Sequence, residues 1–127
     1  MPRYWTVDEA RAALPEVIAL LEELQQALAR QAQTGAVAGV AAPGTRSSAN
    51  GHGASRPDDP VRQAARLLER INDLGVQIKD VATGLIDFPC LRRGEEVLLC
   101  YRLGEPEIAF WHDLESGFAG RRPLSEL

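Results

Sequence analysis

The side chains best suited to chemistry lie in the last third of the chain, and they are Asp87, His112 and Arg121. Asp87 interrupts an otherwise apolar run, and His112 ends another. Imidazole titrates near neutral pH, so a carboxylate held beside it can exchange protons, and an arginine can bind an anion. The three residues predict a site for acid–base work or for a small anion. The alternative is a structural polar cluster that ties the C-terminal tail to a sheet.

The cysteines and the single histidine of this region give a weaker signal for a metal. Cys90 and Cys100 are too few for a disulfide framework and form no Cys-x-x-Cys motif, so we expect two partly buried, reduced thiols. His112, Asp113 and Glu115 could contribute to a metal site, but no second histidine stands at a fixed spacing from His112. The sequence therefore predicts no metal and no cofactor.

These residues belong to a predicted three-stranded antiparallel β-meander over residues 84–112. Short apolar runs are separated by turn residues at Arg93–Gly94 and Glu105–Pro106, and such close spacing favours hairpins over parallel crossovers. A two-residue turn at Arg93–Gly94 places Asp87 opposite Cys100. A turn centred on Glu105–Pro106 places His112 opposite Leu99, one row from that pair. The tail over 113–127 is predicted to have little regular structure.

Two helices are predicted before the meander, at 6–32 and 60–80. Thr6 and Glu9 form a capping box, and Asp59 caps a second helix that starts at Pro60. Apolar residues recur at steps of three and four along both helices, as in a coiled coil. Residues 34–59 are rich in Gly, Ala and Ser and predict a flexible loop. The predicted fold is one α+β domain over 1–127, a long antiparallel helical hairpin followed by the meander.

Composition narrows the classes of function. The chain has 127 residues, a formal net charge of −4 and a pI of about 5.2, which disfavours nucleic acid and anionic membranes as partners. No apolar run is long enough for a membrane span, and the N-terminus lacks the apolar core of a signal peptide. We expect a cytoplasmic protein.

The strongest predicted strand also bears on assembly. Residues 97–103 are apolar on both faces, so both faces should be covered. The helices can cover one face, whereas the other needs the tail, with Leu114 and Phe118, or a second copy of the chain. The first helix is longer than the strands and leaves part of its apolar stripe without a partner. The sequence predicts a homodimer, with a possible protein partner bound through the helical hairpin.

The C-terminal motifs resemble those of a known family. Gly84-Leu85-x-Asp87-Phe88-Pro89, the run from Val97 to Glu107, Trp111-His112 and Gly117-Phe118-x-Gly120-Arg121-x-Pro123 are similar in order and spacing to the bacterial domain-of-unknown-function family numbered 2203. The resemblance covers the whole chain and implies that family's fold and a bacterial origin. It implies no activity.

The remaining question is the class of function. The sequence contains no phosphate-binding loop, no Gly-x-Ser-x-Gly, no His-Glu-x-x-His and no dinucleotide fingerprint, which lowers the expectation of an enzyme. The leading hypothesis is a non-enzymatic oligomeric scaffold or partner-binding module. The alternative is a small-anion or metal-binding protein, with hydrolytic chemistry as one option, whose site lies at the meander.

Overall fold

The computed structural model describes residues 3–53 and 59–127, and the side chains of those residues outside 33–53. Two helices precede a five-stranded antiparallel sheet whose strands neighbour one another in chain order. The helices are α1 (Val7–Gly53) and α2 (Pro60–Leu74), and the strands are β1 (Gln77–Asp80), β2 (Leu85–Arg92), β3 (Glu95–Arg102), β4 (Phe110–His112) and β5 (Arg122–Pro123). Short 3-10 turns at Phe118–Gly120 and Leu124–Glu126 lie in the C-terminal segment.

Both helices begin where their caps predict. The amide of Thr6 donates to Oε1 of Glu9 and the amide of Glu9 donates to Oγ1 of Thr6, each over 3.0 Å, which is a complete capping box. Oδ1 of Asp59 accepts from the amide of Val61 at 2.9 Å. These bonds satisfy amides that the first turn of a helix leaves without partners.

The second helix ends earlier than the predicted limit of residue 80. Gly75 adopts the left-handed conformation with φ of 91°, and its amide donates to the carbonyl of Asn72. The amide of Val76 reaches the carbonyl of Ile71, which completes a Schellman motif. Residues 77–80 then form β1 rather than another turn of helix.

The prediction of a long helical hairpin with a coiled coil is wrong. Helix α1 spans 47 residues and α2 only 15, so the two are not matched partners along their lengths. Buried apolar residues of α1 share one core with α2 and with the sheet, including Leu21, Leu24, Ile71, Phe88 and Leu99. The stripe of α1 therefore packs on mixed secondary structure. Helix α1 continues to Gly53, so the backbone of residues 34–53 is helical where the sequence predicts a helix end at residue 32 and a flexible loop over 34–59. Residues 54–58 of that predicted loop lie outside the described part of the chain.

The sheet has five strands where the sequence predicts three. Strand β1 pairs with β2, and β5 pairs with β4 through Phe110–Pro123 and Trp111–Arg122. Each added strand is too short to show an alternating pattern, at four and two residues. The order of β2, β3 and β4 agrees with the prediction.

Both faces of the central strands are buried within the chain. Phe88, Leu99 and Trp111 belong to the core packed against the helices. Leu98 and Cys100 are also buried, at 3% and 0% exposure, but point to the opposite face and lie outside that core. Leu114 and Phe118 of the C-terminal segment lie over this second face, where they line a cavity together with Leu98. The C-terminal tail therefore packs over the second face of the sheet, which is one of the two alternatives that the sequence offers for that face. Among the described residues, no helix has the length and apolarity that a membrane span requires.

Candidate metal centre

The second face of the sheet collects the polar residues because of its strand register. Asp87 pairs with Cys100, as the sequence predicts. His112 pairs with Leu98, and Trp111 takes the predicted position opposite Leu99. A shift of one residue turns a side chain to the other face of a strand. The observed register therefore puts His112 on the same face as Asp87 and Cys100.

The connection between β3 and β4 accounts for this difference in register. Glu105 N donates to the carbonyl of Arg102 at 3.0 Å, and the Glu105 carboxylate accepts from the amide of Arg102 at 2.8 Å. The chain turns at these residues and then buries Ile108 completely in the core before β4 begins. The sequence predicts a turn centred on Glu105–Pro106, which would place His112 opposite Leu99 instead.

Asp87 and His112 form a buried pair. His112 Nε2 lies 3.1 Å from Oδ1 of Asp87, and the two residues are 3% and 1% exposed, respectively. His112 Nδ1 lies 2.7 Å from the carbonyl oxygen of Asp113. A carbonyl only accepts, so Nδ1 carries a hydrogen and donates it. The Nε2 atom and the carboxylate oxygen then share a further proton, or they share a cation in its place.

Cys100 completes a cluster of three different potential metal ligands. Burial raises the pKa of its thiol to about 12, and the Asp87 carboxylate adds to the effect. The Arg121 charge acts in the opposite direction without outweighing burial. One ligand atom each from Asp87, Cys100 and His112 lies within 4.8 Å of the other two. Zn²⁺ binds such atoms at about 2.0–2.3 Å, so a single ion can contact all three once the side chains close to within about 4 Å of one another.

Arg121 does not join this pair, although the sequence groups it with Asp87 and His112. Its Nη2 atom donates to both carboxylate oxygens of Glu105, at 2.8 and 2.7 Å. Its guanidinium stacks on Phe110 at 4.1 Å and on Phe118 at 4.5 Å from the ring centroids. These contacts fasten the C-terminal segment to the sheet, which is the structural alternative that the sequence left open for this residue.

A cavity of about 200 Å³ adjoins the cluster. Asp87 and His112 form part of its wall, and Lys79 and Glu115 supply its other charged side chains. The rest of the side-chain lining is apolar, from Leu85, Leu98, Leu114 and Phe118. The cluster therefore adjoins a small, mostly apolar space that opens to the surface between exposed residues, namely Lys79, Leu114, Glu115 and Phe118.

Sequence reasoning missed Cys100 as a site residue even though it predicted the pairing with Asp87. The feature of the sequence that identifies Cys100 is its predicted position opposite the Asp87 carboxylate, on a strand that is apolar on both faces. The sequence predicts a helix through residue 80, whereas Lys79 lies in β1, so its position beside the cluster does not follow from the predicted helix. Asp113, which the sequence offers as a metal ligand, instead accepts backbone hydrogen bonds from Ser116 and Glu115, which lower the pKa of its carboxyl group.

Comparison with known proteins places the chain in a family. The family model described as "Uncharacterized conserved protein (DUF2203)" matches residues 3–124. The chain belongs to this family, as the C-terminal motifs predict. No curated protein and no solved structure matches it.

Proposed function

We propose that this member of the DUF2203 family binds a divalent transition metal through Asp87, Cys100 and His112, and that the preferred ion is Zn²⁺. One observation carries the proposal, namely the convergence of a carboxylate oxygen, a thiol sulfur and an imidazole nitrogen within 4.8 Å. Zn²⁺ accepts all three ligand types, whereas Mg²⁺ and Ca²⁺ prefer sets made entirely of oxygen.

The charge of the cluster supports a divalent ion. A carboxylate and a thiolate together with a neutral imidazole balance a charge of 2+, which favours burial because an unbalanced charge is costly there. The metal would displace the thiol proton of Cys100. The cluster is almost completely buried, so this neutrality matters more than it would at the surface.

The hydrogen bonds of His112 also support a metal site. Ligating histidines usually donate their second ring N–H to a carbonyl or carboxylate, which fixes the ring and leaves the other nitrogen free for the metal. The bond from Nδ1 of His112 to the carbonyl of Asp113 has this arrangement and leaves Nε2 directed at Asp87.

The two cysteines provide a matched pair for the test. Cys100 and Cys90 are both buried, but Cys90 belongs to the core on the helical face of the sheet. We expect Cys100→Ser to weaken Zn²⁺ binding by more than about 100-fold. Losing a residue that only hydrogen-bonds to a metal ligand typically costs about 10- to 100-fold, and losing a ligand itself should cost more. Cys90→Ser should leave the affinity unchanged. Competition with a chromophoric chelator measures both.

Cobalt supplies a readout of the ligands themselves. The Co²⁺-loaded protein should show a thiolate-to-metal charge-transfer band that persists in Cys90→Ser and is lost in Cys100→Ser. Metal content of the wild type, purified without chelators, should be close to stoichiometric by mass spectrometry. Absence of any high-affinity metal, or equal effects of the two cysteine variants, would contradict the proposal.

A second candidate is the non-enzymatic role in which the helices bind a partner, first of all a second copy of the chain. Large apolar side chains of the helices are exposed, with Val61 at 53%, Leu68 at 37% and Leu28 at 37%. Burying them would be favourable by roughly 25 cal/mol per Å². We expect a dimer by light scattering at micromolar concentration, weakened by Leu68→Glu but not by Leu91→Glu on β2. A monomer under these conditions would contradict this role.

A further inference from the structure

We propose that the metal centre keeps its fourth coordination position for a small monocarboxylate that enters the adjoining cavity. This inference rests on the proposed metal-binding function and names the ligand class of the same site. Three observations support it: the number of protein ligands, the charges around the cavity, and the size and lining of the cavity.

The number of ligands leaves one position open. The described residues bring three potential ligand atoms together. Zn²⁺ sites with three protein ligands usually hold water or a small ligand in the fourth position, whereas structural sites are closed by four. Asp87 and His112 both line the cavity, so this space is the direction from which an added ligand can reach the metal.

Besides the cluster, the described residues of the cavity wall include one positive side chain, Lys79, and one negative side chain, Glu115, so the cavity can match an anion of at most a single negative charge. The metal with Asp87, thiolate Cys100 and neutral His112 is neutral overall, so a bound anion needs one further positive charge nearby. Lys79 lines the cavity and makes no ion pair within the described part of the chain. Its ammonium group can supply that charge, but Lys79 is exposed, so water and salt weaken the attraction, and the Glu115 carboxylate on the same cavity opposes it.

The size and lining of the cavity favour an organic acid with a short apolar tail. A cavity of about 150 Å³ holds a benzene molecule in an engineered protein, so the volume of about 200 Å³ here fits a somewhat larger guest. Leu85, Leu98, Leu114 and Phe118 provide apolar contact for the tail. Inorganic phosphate or sulfate would leave these side chains without a partner.

Glu115 is the internal competitor for the same position. Its carboxylate lines the cavity but does not belong to the cluster of atoms within 4.8 Å, and the residue is exposed. An external carboxylate therefore has space to bind without displacing it. A change of the Co²⁺ spectrum in Glu115→Gln without added acid would instead identify Glu115 as the fourth ligand.

The test titrates Co²⁺-loaded protein with butyrate and follows the visible ligand-field bands, which respond to a change of ligand. Acetate, with a shorter tail, and butyramide, without a charge, are the comparison compounds. We expect butyrate to change the bands at lower concentration than acetate, and butyramide to have no effect. In Lys79→Gln the butyrate affinity should fall about three- to fivefold, as for loss of a partly exposed ion pair. Arg62→Gln, on the exposed surface of α2, is the charge control and should behave as wild type.

Leu98→Phe tests whether the ligand occupies the cavity. The larger ring should fill the space and abolish the butyrate response while the charge-transfer band of Cys100 persists. Unchanged bands in wild type with every carboxylate, or equal responses in wild type, Lys79→Gln and Leu98→Phe, would overturn the inference. A protein that binds no Co²⁺ at all would instead contradict the metal-binding function itself.

Discussion

His112 has its two ring nitrogens committed to different partners. Nδ1 donates to the carbonyl of Asp113, so Nε2 is the atom that meets Asp87. A shared proton or a metal ion can occupy the space between Nε2 and Oδ1, and the two compete for the same lone pairs. The same side chains can therefore support a stable metal-free fold and a metal site. Removing either partner would leave the other buried and unsatisfied.

Substitutions of Asp87 separate its structural role from its metal-binding role. Asp87→Ala leaves Nε2 of buried His112 without a partner, and we expect the metal-free protein to lose about 1–3 kcal/mol of unfolding free energy. Asp87→Asn keeps a donor for Nε2 and should cost clearly less. Both variants should lose high-affinity Zn²⁺ binding. Urea denaturation in the presence of a chelator measures the stabilities, and equal losses for Asn and Ala would contradict the shared bond.

The connection from β3 to β4 positions both the site and its cover. The Glu105 carboxylate accepts from the amide of Arg102, which shapes the turn, and from Arg121, which anchors the C-terminal segment. The side chains of Arg121 and Glu105 are only 12% and 17% exposed. One carboxylate thus links the register of β4, on which His112 depends, to the segment that carries Leu114 and Phe118 over the cavity.

Glu105→Gln should loosen this cover. Breaking a buried ion pair by removing one charge typically costs about 3–5 kcal/mol. We expect destabilisation near the lower end of that range, with faster amide hydrogen exchange concentrated in residues 113–121. Glu107→Gln is the matched control, because the Glu107 side chain is 59% exposed and lies 3.8 Å from Arg11. It should change stability by less than about 1 kcal/mol. Uniform exchange across the sheet would contradict a local anchor.

The sequence correctly predicts features that depend on residues close together in the chain. It does not predict features that depend on tertiary packing. The helix caps at Thr6 and Asp59 follow from hydrogen bonds between residues close in sequence. The pairing of Asp87 with Cys100 follows from a tight turn between neighbouring strands. The end of α2 at Gly75 is also a local feature, but the apolar periodicity continues beyond it, so the sequence predicts a helix as far as residue 80. His112 pairs with Leu98 rather than Leu99, and the turn residues of the preceding connection do not specify which of these two registers forms.

At the scale of the whole molecule, the N-terminal residues close onto the sheet built by the C-terminal half. The amide of Trp5 donates to the carbonyl of Pro89 at 2.7 Å, and its indole N–H donates to the carbonyl of Gly75 at 3.2 Å. In an antiparallel strand, the N and O of one residue point to the same side. The nitrogen of Pro89 therefore faces the Trp5 side and not β3, which explains how a proline is tolerated inside β2.

Trp5 contacts both the C-terminal end of α2 and strand β2, so its removal should lower global stability. Its ring meets Phe88 edge to face at 5.2 Å between centroids, lies under the Arg3 guanidinium, and is 4% exposed. We expect Trp5→Ala to cost about 3–5 kcal/mol, as for large aromatic residues removed from cores. Tyr4→Ala is the control, since Tyr4 is 38% exposed and its hydroxyl donates to the carboxylate of half-buried Glu96 at 3.2 Å. Its cost should stay below about 1 kcal/mol.

Because Trp5 lies on the helical face of the sheet, the Zn²⁺ affinity of the folded Trp5→Ala protein should remain that of wild type. A metal affinity that fell together with stability would show that the two faces of the sheet are coupled, contrary to this arrangement.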